Sequence, residues 1–286
     1  MNEIITRKVL AEGVKEFAVA APRLARARRA GQFVIVRVNE TGERIPLTIA
    51  DADPEAGTIT LIFQEVGKST LLLGTLQEGD RILDVVGPLG RPTHIENFGT
   101  VACLGGGIGV APVHPIAKAM KEAGNHVIGI IGARTRDLLI MEDRMKAATS
   151  ELHISTDDGS YGTHGFVTTV LEALVNEGRK IDLVVAIGPV PMMSASTKTA
   201  AKYNLPCVVS LNSIMVDGTG MCGACRVTVG GKTRFVCVDG PEFDGYQVDF
   251  VELVKRQRAY LKQEDVARRQ FLEHHPGERC WETKVS

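Results

Sequence analysis

Long apolar runs are missing from this sequence of 286 residues, and aromatic residues make up only 5% of it. A membrane-spanning helix needs about 20 consecutive apolar residues, so the sequence predicts no such helix. The N-terminal stretch MNEIITRKVL also lacks the apolar core and cleavage site of a signal peptide. We therefore expect a cytoplasmic protein.

The sequence also has no excess of positive or negative charge, since Lys and Arg total 33 against 34 for Asp and Glu. No overall field therefore favours nucleic acid or an anionic membrane as a partner. Three of the six cysteines, Cys103, Cys207 and Cys280, stand far apart in the chain. They fit free thiols in a reducing compartment better than the disulfide framework of a secreted protein.

The chain does contain one cysteine-rich stretch, residues 217–237, reading DGTGMCGACRVTVGGKTRFVC. Plant-type 2Fe–2S ferredoxins use Cys-x4-Cys-x2-Cys and a distant fourth Cys. The spacing here matches, with Asp in place of the first Cys. Glycines between the ligands let the backbone wrap closely around an inorganic core. The spacing predicts a 2Fe–2S cluster whose metal ligands are Asp217, Cys222, Cys225 and Cys237.

Other interpretations of this stretch are a redox-active Cys-x-x-Cys pair and half of a zinc site. A thioredoxin-like pair begins a helix after a strand, whereas RVTVGGKTRFVCV is typical of a Gly-Gly hairpin. Such a hairpin returns Cys237 to the neighbourhood of Cys225, as a cluster requires. Asp217 precedes a glycine and is also an ordinary turn residue, and a carboxylate is a harder ligand than a thiolate.

Two architectures follow one another along the chain, a β barrel and an α/β region. Residues 1–97 contain short strands with alternating apolar positions, such as QFVIVRVN and TITLIFQEV, separated by Gly, Pro and Asp turns. This pattern predicts a small antiparallel barrel. In residues 98–210, strands such as HVIGIIGA and DLVVAIGP alternate with helical segments. This alternation predicts a parallel sheet with helices on both faces.

The remaining residues form two further predicted units. Residues 211–247 hold the cluster stretch and its hairpin as a small module. Residues 248–286 are charged and helical in period, with apolar positions too sparse to build a core alone. We interpret this C-terminal extension either as a solvated helix on its own chain or as an element that docks a partner.

A glycine turn, Gly105-Gly106-Gly107-Ile108-Gly109, joins the first strand of the α/β region to a helix. Backbone amides and the positive end of a helix dipole at such a turn can hold a pyrophosphate. The turn is not the Gly-x-Gly-x-x-Gly fingerprint, because Val110 stands where the third Gly would be. The acidic ribose ligand expected after the second strand is also replaced, by the sequence GAR. The turn therefore favours a nucleotide site without identifying one.

Three motifs of the barrel region resemble those of ferredoxin–NADP reductases. RIPLTI resembles their flavin signature, in which Arg meets the FAD pyrophosphate and a hydroxyl approaches the flavin N5. GKST resembles their second phosphate-binding segment, and GPLG the turn that closes the barrel. The FAD-binding residues implied by this resemblance are Arg44, Pro46, Leu47, Thr48, Gly67, Lys68, Ser69 and Thr70. Thr48 is the implied catalytic residue, as the hydrogen-bonding partner of N5.

The rest of the chain resembles two related families. GGGIGVAP, TDDGSYGTHGFVT, AIGPVPMM and VCVDGPEF resemble the electron-transfer subunit of class 1B dihydroorotate dehydrogenase. The Asp in IMVDGTGMCGACRV departs from that subunit's four cysteines. It resembles instead the small (alpha) subunit of NADH-dependent reduced ferredoxin:NADP oxidoreductase, the electron-bifurcating transhydrogenase also named sulfide dehydrogenase. There the corresponding Asp is a cluster ligand.

The resemblance also implies a dinucleotide site in the α/β region. Its implied residues are Gly106, Gly107, Gly109, Arg134, Asp157, Asp158, Gly159, Gly188, Pro189 and Met192. Arg134 and Arg136 could pair with the 2′-phosphate of NADP or lie in a solvated loop, and Asp157 and Asp158 would repel that phosphate at close range. The residues alone do not decide whether the site binds NAD or NADP, and the resemblance favours NAD(H).

The implied activity is that of a flavin and iron–sulfur oxidoreductase. Hydride transfer moves two electrons and a 2Fe–2S cluster takes one, so the flavin stands between NAD(H) and the cluster. The implied partner is a large subunit with FAD and 4Fe–4S clusters, which forms a heterodimer and reacts with ferredoxin and NADP(H). One alternative is the electron-transfer subunit of dihydroorotate dehydrogenase, whose partner carries FMN. Another is a cluster-based redox sensor without turnover.

Overall fold

A computed structural model describes residues 2–275 of the chain. Its strands are β1 (Ile4–Ala11), β2 (Val14–Ala20), β3 (Phe33–Arg37), β4 (Ile45–Asp53), β5 (Thr58–Gln64), β6 (Asp84–Leu89), β7 (Thr100–Gly106), β8 (His126–Ala133), β9 (Glu151–Thr156), β10 (Thr163–His164), β11 (Leu183–Ile187), β12 (Cys207–Ser210), β13 (Arg226–Val229), β14 (Lys232–Phe235) and β15 (Glu242–Asp244). Its α-helices are α1 (Pro22–Ala27), α2 (Lys68–Thr75), α3 (Val110–Glu122), α4 (Glu142–Ala148), α5 (Val167–Asn176), α6 (Val190–Lys202), α7 (Val236–Asp239), α8 (Phe250–Gln257) and α9 (Leu261–His274).

The first six strands form an antiparallel sheet in the order β1-β2-β5-β4-β3-β6. Alternate side chains of these strands, among them Phe17, Val34 and Leu61, fill its interior. The amide of Ile4 donates to the carbonyl of Asp80 at 2.9 Å, which ties β1 to the segment before β6 and closes the sheet on itself. The predicted barrel is confirmed, although its first strand was not recognised from the sequence.

The second sheet has seven strands in the order β10-β9-β8-β7-β11-β12-β15. All of its pairings are parallel except that of β15 with β12. Apolar residues of α3 and α4 pack on one face, and those of α5 and α6 pack on the other. The predicted parallel sheet with helices on both faces is confirmed.

The cysteine-rich segment is anchored to this second sheet. Its hairpin, β13 and β14, pairs antiparallel around Gly230 and Gly231 as the sequence predicts. The chain then forms α7 and returns as β15 along the edge of the parallel sheet, where Glu242 lies opposite Ser210. The chain that follows the cysteine-rich segment therefore contributes an edge strand to the second sheet, which the sequence did not indicate.

The barrel and the parallel sheet share a continuous interface. Barrel residues such as Val14 and Ile62 belong to the same apolar cluster as the residues of α3. His114 of α3 is buried, and its Nδ1 lies 3.3 Å from the carbonyl oxygen of Ala50. Burial lowers the pKa of His114, so its imidazole is a neutral part of this interface.

The C-terminal extension forms two helices, α8 and α9, the second of which ends at His274. α8 packs on α6 and on the hairpin strand β13, and α9 packs on α2 of the barrel. The described part of the extension therefore lies on its own chain. Its last residues, including Cys280, lie outside the described residues. Within residues 2–275, no helix is both long enough and apolar enough to cross a membrane.

Candidate functional site

Two of the predicted cluster ligands are in direct contact. The thiol of Cys225 donates to the sulfur of Cys237 at 3.2 Å, and both residues are 2% exposed. The hairpin brings them together, since Cys225 precedes β13 and Cys237 follows β14. Burial, and then the neighbouring thiol of Cys225, raise the pKa of Cys237 to about 12. Cys222 is exposed at the rim of this pair.

The loop that leads to these cysteines is organised by Asp217. Its Oδ2 accepts hydrogen bonds from the amides of Thr219 at 2.9 Å and Met221 at 3.4 Å, and from the Thr219 hydroxyl. These bonds, led by that of the Thr219 hydroxyl, lower the pKa of Asp217, and the charge of Arg44 lowers it further. Asp217 is thus a carboxylate that shapes its own turn, as an Asp before Gly commonly does.

A 2Fe–2S cluster needs thiolate or similar donors around its irons, and the two thiols are such donors. Among residues 2–275, no three His, Cys, Asp or Glu side chains converge on a single metal position. A 2Fe–2S cluster has two irons and four protein ligands, so a close pair such as Cys225 and Cys237 can serve one iron. Gly218, Gly220 and Gly223 have φ values of 84°, 87° and 70°, which favour glycine and let the loop turn tightly. The Cys225–Cys237 pair and the tight loop before it fit such a cluster, while ligation by Asp217 and Cys222 stays a prediction.

The predicted flavin signature lies on the outer face of the barrel. Thr48 lies opposite Phe33 of β3, and Pro46 lies opposite Ile35, so these four side chains share one face. Leu47 points the other way and packs in the barrel core, which leaves its backbone to contact a ligand. Arg44 is exposed at the start of this strand. The structure therefore places the arginine and the hydroxyl of the motif at the start and in the middle of one barrel strand.

The cluster loop meets this same barrel face. A Cβ added to Gly218 would lie 2.8 Å from Cγ1 of Ile35 and 2.7 Å from Cδ1 of Leu89, so the loop backbone touches both side chains. Ile35 is the residue opposite Pro46 on the flavin-signature face. The cluster loop and the predicted flavin face are therefore in van der Waals contact.

The predicted phosphate-binding segment begins α2 beside this face. Gly67 is the N-terminal capping residue of the helix, and its amide donates to the Thr70 hydroxyl at 3.1 Å. The hydroxyl of Ser69 donates to Oε2 of Glu43 at 3.2 Å, next to Arg44 in sequence. Lys68 is exposed. The amides of a helix N-terminus favour a phosphate, although the Thr70 hydroxyl is occupied by the helix cap.

The glycine turn after β7 is packed on one side and open on the other. A Cβ on Gly106 would lie 2.5 Å from Sδ of Met192, which also fills the space beside Gly188. Gly109 leaves no room for a Cβ, because the backbone of residues 187–188 lies against it. Gly107 has a φ of 54°, and a Cβ there would have no other atom within 4 Å. The turn therefore offers an open concave surface at the start of α3, and Pro189 caps the neighbouring helix α6.

The predicted acidic residues lie at the end of β9. Burial raises the pKa of Asp157, and the positive charge of Arg134 opposes that rise. The carboxylate of Asp158 accepts from the amide of Ser160 at 3.0 Å and from its hydroxyl at 2.6 Å. Gly159 follows with a φ of 74°. Arg134 and Asp157 are therefore close enough to interact, while Arg136 lies over the ring of Tyr161.

Sequence reasoning missed one ionisable residue at the junction of the three units. Glu242 of β15 is partly buried, and its burial raises its pKa to about 7. The hydroxyl of Thr93, in the linker between barrel and sheet, donates to Oε1 of Glu242 at 2.5 Å. The available signal was an acidic residue directly after Pro241, at the start of β15.

Comparison with known proteins agrees with this geometry. The family model described as the iron–sulfur cluster binding domain of dihydroorotate dehydrogenase B matches residues 212–249. A Thermotoga maritima relative, the electron transfer subunit homolog of dihydroorotate dehydrogenase B (NAD(+)), is 51% identical over 95% of this chain and 96% of its own length. The Bacillus caldolyticus electron transfer subunit of that enzyme is 37% identical over 86% of this chain and 96% of its own.

The chain belongs to the family of dihydroorotate dehydrogenase B electron transfer subunits. It is also similar to a chain in a solved structure of the NADH-dependent reduced ferredoxin-NADP oxidoreductase, an enzyme of flavin-based electron bifurcation. That likeness has a TM-score of 0.91 and 50% identity, and covers 95% of this chain and 98% of the other. Both resemblances read from the sequence are confirmed.

Membership in this family of electron transfer subunits also confirms the predicted class and cofactors. The class is a flavin and iron–sulfur oxidoreductase subunit with a ferredoxin reductase-like fold. The cofactors are FAD, a 2Fe–2S cluster and NAD(H). The individual residues assigned to these cofactors stay predictions.

Proposed function

We propose that this chain is the flavin and 2Fe–2S electron-transfer subunit of an electron-bifurcating NADH-dependent ferredoxin:NADP oxidoreductase, acting in the cytoplasm. The contact of the Gly218 loop with Ile35 and Leu89 carries the proposal, because it joins the cluster segment to the barrel face that bears Thr48. The 50% identity to a chain of such an enzyme over 95% of this sequence supports it.

The proposed units keep the boundaries predicted from the sequence. Residues 1–97 bind FAD, residues 98–210 bind NAD(H), residues 211–247 bind the cluster, and residues 248–286 are the helical extension. FAD, when bound, converts between hydride transfer and single-electron transfer.

On the barrel, Arg44 neutralises the FAD pyrophosphate, and the amides at the start of α2 bind a phosphate oxygen. The Thr48 hydroxyl donates a hydrogen bond to the flavin N5. Because Thr48 and Phe33 share the outer face of the barrel, that face can receive a flavin ring. The barrel residues therefore bind and orient the ring without acting as a general acid or base.

On the sheet, the open surface of Gly107 and the N-terminal end of α3 receive the NAD pyrophosphate. Met192, held between Gly106 and Gly188, borders the path of the nicotinamide. Arg134 is partly balanced by Asp157, and the acids of this loop disfavour a 2′-phosphate. These contacts support NAD(H) over NADP(H).

At the cluster, Cys222, Cys225, Cys237 and Asp217 supply four ligands. Cys225 and Cys237 are buried, whereas Cys222 is exposed beside Met221, which is 89% exposed. The cluster would thus meet the surface on the Cys222 side. We propose that a large subunit with FAD and 4Fe–4S clusters binds there in a heterodimer and reacts with ferredoxin and NADP(H).

A second candidate is the electron-transfer subunit of dihydroorotate dehydrogenase, which the names of the two curated relatives favour. Copurification from the native source, with flavin and iron analysis, distinguishes the two. A partner with FAD and 4Fe–4S clusters, together with NADPH-dependent reduction of ferredoxin and NAD, supports the main proposal. A partner with FMN and oxidation of dihydroorotate would replace it with the second candidate.

A third possibility, a redox sensor without turnover, is tested on the isolated chain. An NADH-binding flavoprotein should show steady NADH-dependent reduction of an artificial acceptor dye. Absence of that diaphorase activity in FAD-loaded protein would favour the sensor.

A further inference from the structure

A cleft of about 820 Å³ lies between the barrel and the parallel sheet, apart from all of the predicted cofactor residues. Its walls are the end of α1 and the loop after it, the linker at residues 92–95, and the C-terminal half of α3. Ligand sites commonly measure about 300–1,000 Å³ and often occur where two domains meet. The cleft has the size and place of a small-molecule site.

Positive charge is concentrated around this cleft. Arg26, Arg29 and Lys118 are exposed on its walls. Within residues 2–275 none of these three side chains is in an ion pair. Glu122 is the acidic residue of the lining, so cations outnumber anions in a chain whose net charge is only −1.

A fourth cation is held in place within the wall. The guanidinium of Arg28 donates to Oδ1 of Asp51 at 3.1 Å, and burial lowers the pKa of this arginine. Arg28 is therefore fixed by a barrel strand, and its neighbours Arg26 and Arg29 flank it on the cleft wall. Guanidinium groups bind phosphate oxygens in pairs of hydrogen bonds. These three neighbouring arginines are therefore suited to bind a chain of phosphates.

Apart from Thr93 and His94, the rest of the lining is apolar. Pro54, Pro92, Ile95 and Pro115 present flat or aliphatic surface beside the cations. A site with an apolar floor and a few converging charged groups is typical of small-molecule sites. A purine or pyrimidine ring would pack on this floor while its phosphates meet the arginines.

The cleft is separate from the proposed NAD site, although α3 borders both. The glycine turn precedes Val110, whereas Lys118 and Glu122 lie about 12 and 18 Å further along the helix at 1.5 Å per residue. The cleft and the turn therefore lie at opposite ends of α3. A ligand in the cleft would also contact both the barrel and the sheet, since its arginines and Lys118 belong to different units.

We propose that this cleft is a second anion site, which binds a di- or triphosphate group carried by a nucleotide or present as free polyphosphate. The site joins the barrel to the parallel sheet and is independent of the function proposed above.

The test is calorimetric titration of the FAD- and cluster-loaded chain with ATP and with inorganic tripolyphosphate, in the presence of saturating NAD+. Saturating NAD+ fills the proposed dinucleotide site. Any heat released on adding ATP or tripolyphosphate therefore reports binding at another site. We expect saturable binding by wild type and at least tenfold weaker binding by the double variant Arg29→Ala, Lys118→Ala. The matched control Arg23→Ala removes an exposed arginine of α1 that does not line the cleft, and it should bind like wild type.

The two probes identify the source of the phosphate. Tighter binding of ATP than of tripolyphosphate would assign the site to a nucleotide, and equal binding would assign it to the phosphate chain alone. Equal affinity of wild type and the double variant, or loss of binding once NAD+ is present, would overturn the proposal. Flavin absorbance and diaphorase activity of the double variant should match wild type, which separates a lost site from a misfolded chain.

Discussion

Arg144 of α4 and Glu16 of β2 form a bidentate ion pair across the interface between the α/β region and the barrel. Nη2 of Arg144 donates to Oε1 of Glu16 at 2.8 Å, and Nη1 donates to Oε2. The Glu16 side chain is only 5% exposed, and its hydrogen bond raises the pKa of Arg144. The pair fixes the two halves of the proposed cofactor site relative to each other.

Arg144→Ala should destabilise the chain by about 2–4 kcal/mol, because it leaves the Glu16 carboxylate buried without its main partner. Chemical denaturation at neutral pH measures this loss. Arg179→Ala, which removes an arginine from a more exposed ion pair, is the control and should cost less than about 1 kcal/mol. Equal losses in the two variants would contradict the structural role of the pair.

Glu242 should make stability depend on pH. Its pKa is raised to about 7 in the folded chain, from 4.5 in the unfolded chain. The neutral carboxyl therefore stabilises the fold fully below about pH 4.5, and this contribution is lost as pH rises through 7. The difference corresponds to about 3 kcal/mol at about 1.4 kcal/mol per pKa unit.

Glu242→Gln keeps the shape of the side chain and cannot ionise. Denaturation of both proteins from pH 5 to pH 8.5 should show that wild type loses stability relative to the variant as pH rises. Parallel pH profiles would mean that Glu242 does not titrate in this range.

Replacement of the predicted cluster ligands should remove iron. Cys225→Ser and Cys237→Ser should each abolish the two irons and two sulfides of a 2Fe–2S centre, measured by iron analysis and visible absorbance. Cys207→Ser, at a buried thiol outside the loop, should retain them. Loss in Cys207→Ser, or retention in Asp217→Ser with an unchanged spectrum, would move a ligand away from the predicted set.

Thr48→Ala should slow flavin reduction by NADH roughly tenfold, since one hydrogen bond to N5 of about 1.4 kcal/mol is removed. Flavin content should stay near wild type because Arg44 and the start of α2 remain. Stopped-flow absorbance measures the rate. Thr60→Ala, on the neighbouring strand β5, is the matched control, and an equal loss of rate there would argue against a specific role of Thr48.

Removal of residues 259–286 should weaken FAD binding, because α9 packs on α2, whose first turn is the proposed phosphate site. Flavin retained through gel filtration measures this effect in the isolated chain. Assembly with the large subunit is measured separately. Weakened assembly with full flavin content would instead assign the extension to partner docking.

The regular parts of this fold follow from local pattern. Alternation in TITLIF and the Gly-Gly turn at 230–231 predict β5 and the hairpin correctly, because each depends on neighbouring residues. The edge strand β15 has three residues, too few for a period, and its pairing with β12 depends on distant backbone. The partial burial of Glu242 follows from that pairing, so the sequence alone could not indicate it.

The candidate site also has one part that follows from local sequence pattern and one part that depends on distant contacts. The cysteine spacing predicts that Cys225 and Cys237 meet, and their sulfurs lie 3.2 Å apart. The contact of Gly218 with the barrel could not be predicted, because it joins segments more than 120 residues apart whose relative placement depends on the whole interface.

That contact at Gly218 also limits the rate of electron transfer between the flavin and the cluster. Electron tunnelling between two redox groups slows steeply as their separation grows, and the missing side chain lets the loop rest directly on Ile35 and Leu89. Any larger residue there would force the loop outward and lengthen the tunnelling path, even with every ligand and every flavin contact intact. The smallest residue of the chain thus governs how fast its two redox groups can communicate.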